Sequence, residues 1–286
     1  VNLNEFIKQE RHDVMRAIDD VWSSWQAGVP QWNNVLVEAR AVFSEMSTTL
    51  GGSATPYLFT TQDHSAKLHH NGDVTEVYEQ IVIYMMPHRL GDGVNVCPWS
   101  SAGCRATCLE SSGRLGLEAS NIAKQARTDL LNERPDLFAA LLVDEIARHK
   151  RRVERKGRRL VVRLNGTSDI PWEVLAPNLF TTFGDVQFFD YTKDGMGAQA
   201  ASRTTLPANY YLVRSAHERT PDHKLWDKSL GNIVVVLKNP QRKTFAGRRV
   251  IDGDAHDMRF LDKQGGYAVV VKAKGKAKND TSGFAR

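Results

Sequence analysis

Ile233-Val234-Val235-Val236-Leu237 is five apolar residues in a row, four of them β-branched. A strand with no polar face is buried on both sides, which is the condition of a parallel sheet covered by helices. Working outward, the same short apolar pattern recurs at Leu160–Leu164, Val186–Tyr191, Tyr210–Val213, Arg249–Ile251 and Tyr267–Val271. Upstream, Val77–Met86 reads as a strand that Pro87 ends. Helical spacing fills the intervals: Leu117–Asn132, Asp136 to about Lys156, a short Pro-Trp helix near 171–178, and Asp222–Leu230. Alternating strands and helices predict an α/β fold with a mainly parallel sheet, either open or closed into a partial or complete βα barrel. Two amphipathic helices, over 4–27 and 33–48, precede the first strand. They predict an N-terminal helical extension over 1–52, followed by a single α/β domain over 53–286.

The composition bounds the class. The 286 residues are 41% hydrophobic and 25% charged, as in an ordinary globular chain. No apolar run approaches the ~18 residues of a membrane-spanning helix, and Val1-Asn2-Leu3-Asn4-Glu5 is not a signal peptide. With three cysteines in a long chain, a disulfide framework is excluded and the cytoplasm is the expected compartment. The net charge of +5 is unevenly spread. Arg148–Arg159 carries +7 and Lys272–Arg286 carries +4, leaving the remainder at −6. Arg151, Arg152, Arg155 and Arg158, with Lys274 and Lys276 in the tail, are candidates for nucleic-acid contact. The first group also ends a helix, where cations meet the negative end of the dipole.

The three cysteines, Cys97, Cys104 and Cys108, lie in one loop with C-x6-C-x3-C spacing. Free structural cysteines are normally dispersed through cores, so their concentration predicts a metal site. Thiolates suit zinc or iron–sulfur. Zinc wants a fourth ligand, for which His88 or His64 is available. Three thiolates alone can hold a 4Fe–4S cluster with one iron left open. Iron–sulfur is the favoured reading and zinc the alternative.

The polar residues after the strands are the other candidates. Asn165, Ser168 and Asp169 follow one strand, and Asp190 and Lys193 flank the end of the next. In parallel α/β folds that edge collects ligand-binding groups, so these five predict a substrate or cofactor pocket. Ser168 and Asp169 equally suit the start of the helix near Pro171. In an extended segment Asp252, Asp254 and His256 would share a face and form a second polar site. His217 follows another strand and reads as a base, a ligand or a structural histidine. A Walker loop, a dinucleotide fingerprint, a nucleophile elbow and an HExxH helix are absent from the sequence.

Cys97-Pro98, Cys104 and Cys108, then Arg163-Leu-Asn-Gly-Thr-Ser168-Asp169, then Phe189-Asp190-Tyr191-Thr192-Lys193 together resemble the phage gene product 88-like family over roughly 96–240. The resemblance implies a phage or prophage origin, in an infected or prophage-carrying bacterium, and leaves the activity open. Thr167-Ser168-Asp169 departs from the Ser-Gly-Asp expected there. The order strand, cysteine loop, helix and βα units is similar to radical S-adenosylmethionine enzymes, although those use C-x3-C-x2-C. That similarity implies reductive chemistry on S-adenosylmethionine and an unknown small or macromolecular substrate. The competing expectation is a nucleic-acid-binding protein with a structural zinc or iron–sulfur site.

Overall fold

The computed structural model describes residues 12–28, 32–61, 74–88 and 95–286. His64 and the start of the first expected helix lie outside the described residues. The described residues form nine strands: β1 (Phe59–Thr61), β2 (Tyr78–Ile83), β3 (Arg159–Arg163), β4 (Gln187–Thr192), β5 (Tyr210–Ser215), β6 (Ile233–Leu237), β7 (Thr244–Phe245), β8 (Arg248–Asp252) and β9 (Ala268–Lys272). Their order is β1-β2-β3-β4-β5-β6-β9-β8-β7. Pairing is parallel from β2 through β6, β9 and β8, and antiparallel at the β1 and β7 edges.

The sheet is therefore α/β and mainly parallel, as the apolar strands require. From β2 to β6 the strands advance in one direction, as in a βα barrel, without the reversal that marks a doubly wound sheet. Among the described residues no pairing joins β1 to β7.

Four long helices are α1 (His12–Gln26), α2 (Trp32–Thr49), α3 (Glu118–Glu133) and α4 (Pro135–Glu154). Pro135 opens α4 at a position where its missing N–H costs nothing. Leu137, Leu141, Leu142 and Ile146 turn inward from α4 against Ile81, Ile83, Val162 and Phe188 of the sheet. Trp22 of α1 and Phe43 of α2 are buried in this same cluster. The N-terminal helices thus share the main core across residue 52. Burying side chains of this size contributes about 1.5–3 kcal/mol each.

Successive strand residues point to opposite faces, so the other face carries Val161, Arg163, Phe189, Tyr191, Tyr211 and Val213. Met258, Phe260 and Leu261 lie across its β3–β5 portion and pack against these aromatics. Phe260 meets Tyr78 at 5.6 Å and Phe189 at 5.9 Å between ring centroids. Beyond that packing, toward the C-terminal strand ends, a cavity opens.

Candidate functional site

The cavity has a volume of about 860 Å³, and Cys97, Cys104 and Cys108 all line it. All three thiols are free. The loop that carries them is pinned at several points. Ser101 caps a short helical turn, Ala102–Ala106, by accepting from Cys104 N. Glu218, from the segment after β5, accepts from Ser101 Oγ at 2.7 Å and from Gly103 N at 2.9 Å. A Cβ on Gly103 would stand 2.7 Å from the Glu218 carboxylate and 2.5 Å from Ser282 Oγ, so glycine is what lets the turn seat this closely. Cys97 Sγ donates to Thr167 O at 3.4 Å, tying the loop to the turn after β3.

Burial pushes the Cys97 thiol well above its ordinary range. A backbone N–H contact at His88 opposes the shift, and Asp169 and the other two thiols reinforce it. Cys108 is pushed up to about 11, again mainly by burial. Cys97 and Cys108 thus resist ionisation more in the field of neighbouring thiolates, and positive charge placed beside them would relieve this. Among the described residues, no three His, Cys, Asp or Glu side chains are gathered around a single-ion position. His88 is not brought into such a group, and its backbone adopts a left-handed φ of 40°.

Of the five expected pocket residues, Asn165, Ser168, Asp169 and Lys193 line the cavity and Asp190 does not. Asp190 lies behind it, fully buried. It accepts from Asn165 N at 2.8 Å, Asn165 Nδ2 at 3.2 Å and the Tyr210 hydroxyl at 3.0 Å. Alternation places its side chain on the helix-covered face, so its work is to hold Asn165. Asn165 Oδ1 in turn accepts from Ser168 Oγ at 2.8 Å and Ile170 N at 2.9 Å. The side-chain hydrogen bonds of Asn165 are therefore spent on shaping the 165–170 turn. A Cβ on Gly166 would meet Ile83 O at 2.6 Å, so this turn also depends on a close approach to β2. Neither Ser168 nor Asp169 caps the helix Trp172–Leu175, whose N-cap, Pro171, makes no side-chain bond. Asp169 instead accepts from Lys193 N at 2.9 Å and pairs with Arg203 at 2.9 Å.

Among the described residues Lys193 Nζ donates to Ser215 Oγ alone, at 3.3 Å, and lies 5.4 Å from the centre of the Phe284 ring. Arg163, at the end of β3, also lines the cavity, and the sequence reading passed over it as a binding group. Its guanidinium stacks 4.5 Å from the Tyr191 ring centre and stands 3.8 Å from Asp257 Oδ2, beyond hydrogen-bond reach. The available signal was a charged residue at an alternate position of an otherwise apolar strand. Arg203 and Glu218 were missed too, because nothing in their own sequence neighbourhood marks them.

The expected second polar site does not assemble. Asp254 pairs with Lys274 at 2.6 Å and accepts from Lys272 N at 2.8 Å. His256 turns to Arg259, 3.2 Å away, and to Asp262, 3.6 Å away. Asp252 accepts from the N–H of Asp254. A turn at Gly253 breaks the alternation that would have aligned the three. His217 Nδ1 accepts from Arg219 N at 3.1 Å, and burial with the nearby Lys193 pushes the imidazole down to about 4.

Three cations of the basic helix end are committed to one carboxylate. Glu79, only 2% exposed, pairs with Arg152, with Lys156 at 2.9 Å and with Arg158 at 3.9 Å. Arg155 Nε donates to the carbonyl of Arg151. Arg151 itself is exposed. In the tail, Lys274 pairs with Asp254 and Lys276 is exposed. No helix among the described residues is long and apolar enough to cross a membrane.

A mainly parallel α/β sheet with three thiols at one cavity of its C-terminal edge defines the class. The gene product 88 family model matches residues 58–286, and the chain belongs to that family. No curated protein and no solved structure matches it.

Proposed function

We propose that Cys97, Cys104 and Cys108 hold a 4Fe–4S cluster at the wall of the cavity, and that a molecule bound in the cavity reacts there. The observation that carries this reading is that the chain's only three cysteines all line one cavity at the C-terminal strand ends. The donor set fits such a cluster: three soft thiols on a pinned loop, with no fourth thiol to close the last iron. A cluster ligated in this way supplies an electron and an open iron, the equipment with which radical S-adenosylmethionine enzymes cleave their cofactor.

The remaining work belongs to this chain's own residues. Glu218 and Ser101 fix the helical turn between Cys97 and Cys108. The Asn165 turn and Thr167 O fix Cys97. Asp169 holds the backbone of Lys193, so that its ammonium projects beside the thiols.

Anaerobic purification, followed by iron, sulfide and zinc assays and an absorption spectrum, tests the reading. About four irons and matching sulfide per chain, with a broad visible band, are expected. Cys97→Ala, Cys104→Ala and Cys108→Ala should each reduce both. One zinc per chain without colour overturns it and leaves a structural metal. Under reduction, loss of S-adenosylmethionine from the loaded protein checks the finer step.

A further inference from the structure

The thiols occupy one wall of the cavity. The rest of its lining carries more cations than carboxylates. Among the described lining residues eight are Lys or Arg and three are Asp. Two of those carboxylates already have cations of their own. Asp254 is bound to Lys274, and Asp169 is bound to Arg203, which lies outside the cavity. Asp257 faces Arg163 from 3.8 Å. The positive charge is therefore in excess where a ligand would sit.

Two of the cations are poorly satisfied. Arg163 is 8% exposed, and its Nε is buried with no hydrogen-bond partner. Among the described residues its side chain makes one hydrogen bond, a long one of 3.4 Å to Gly166 O. A buried guanidinium with an idle N–H, whose carboxylate neighbour Asp257 stands beyond hydrogen-bond reach at 3.8 Å, carries a desolvation cost that an anion would offset. Among the described residues the Lys193 ammonium meets a hydroxyl and a ring face, and pairs with no carboxylate. The two residues stand at the ends of neighbouring parallel strands, β3 and β4, and both line the cavity. Around them Tyr84, Tyr191 and Phe284 supply ring surface, with Val234 and Val236 behind.

We infer that the cavity takes an organic anion, a carboxylate or phosphate group on an aromatic or apolar body, and that Arg163 and Lys193 bind its charge. A volume of about 860 Å³ admits a ligand up to the size of a nucleotide. As a statement about the reacting molecule this rests on the cluster reading. As a statement about binding it does not.

The test uses two fluorescent probes that share a ring body, anilinonaphthalene sulfonate and the neutral phenylnaphthylamine. The whole protein should bind the sulfonate at one saturable site, about tenfold more tightly than the neutral amine, because only the sulfonate makes charge-assisted contacts. Inorganic phosphate and benzoate should displace it, and their ranking separates a phosphate from a carboxylate ligand. Lys193→Met and Arg163→Met should each weaken the sulfonate about tenfold and leave the amine unchanged, while Lys193→Arg keeps the preference.

Arg163 is buried and its replacement is the riskier for folding. Lys193 is only half-buried, so its variant decides the matter alone. Equal affinity for the two probes, or an unchanged sulfonate affinity in Lys193→Met, overturns the inference. Sulfonate preference without iron would sink the cluster and keep the anion site. Iron without preference would do the reverse.

Discussion

The two ends of the sheet use the same residue types in opposite ways. Where β2 and β3 begin, Arg152, Lys156 and Arg158 converge on Glu79, and the carboxylate is buried beneath them. Where β3 and β4 finish, Arg163 and Lys193 face a cavity; Asp257 stands 3.8 Å from Arg163, and among the described residues neither cation donates a hydrogen bond to a carboxylate. Three cations of one end are spent on a buried carboxylate, and two of the other end keep donors available. The basic run is far more conspicuous in the sequence, and counting charges does not show which cations are paired. What separates the two is the partner each cation has found, and that is a property of the fold.

The comparison can be broken most severely behind the cavity. Arg203 is buried, donates to both oxygens of Glu173 at 2.6 and 2.7 Å, and pairs with Asp169 at 2.9 Å. Arg203→Met strands two buried carboxylates and should cost about 3–5 kcal/mol in denaturant unfolding. It should also loosen Lys193, whose N–H is held by Asp169. A loss comparable to a surface substitution would show that these charges are not committed to folding. Glu79→Gln comes next. Removing the charge from the first cluster should destabilise by about 1.5–3 kcal/mol, the range for hydrogen bonds to charged groups. An equal loss from Lys193→Met would erase the distinction between the two ends.

Asp190 sharpens the contrast through pH. Burial pushes its carboxyl up to about 7 from an ordinary 3.8, against the pull of Arg163, Asn165 N–H and Arg203. The native state therefore holds a proton that the unfolded chain releases. The resulting stabilisation is complete below pH 3.8 and is lost as pH rises through about 7. Asp190→Asn should flatten that fall in a series of denaturant titrations across the window. A slope unchanged by the substitution would assign the titration elsewhere. The smallest effect belongs to Arg151, which is exposed. Arg151→Ala should change stability by less than about 0.5 kcal/mol.

The elements that were legible share a reason. β6 and β9 are short apolar runs, and α4 repeats its leucines at helical spacing, so burial is written into composition and period. The observed β6, Ile233–Leu237, has the limits read from sequence. β1 and β7, of three and two residues, are edge strands too short to carry a period. At the site, the cysteine loop was legible because three thiols close in sequence are rare. Asn165, Ser168, Asp169 and Lys193 were legible because strand ends are where pockets form. Asp190 was misplaced by face, since a residue at a strand end can point either way. Arg163 and Glu218 depend on contacts with residues far along the chain, and local pattern is silent about those.

The sequential strand order has a consequence for how the protein is made. Each strand from β3 to β6 docks on the one before it, so synthesis delivers the pieces in the order in which they pair. The cysteine loop leaves the ribosome before β3, β4 and β5, whose ends complete its surroundings. During that interval Cys97, Cys104 and Cys108 are open to solvent and to oxidants. Once Thr167, Glu218 and Lys193 arrive, access narrows to the mouth of a finished chamber. Thiol chemistry before closure and after it are then different events, with the translation rate as the clock between them.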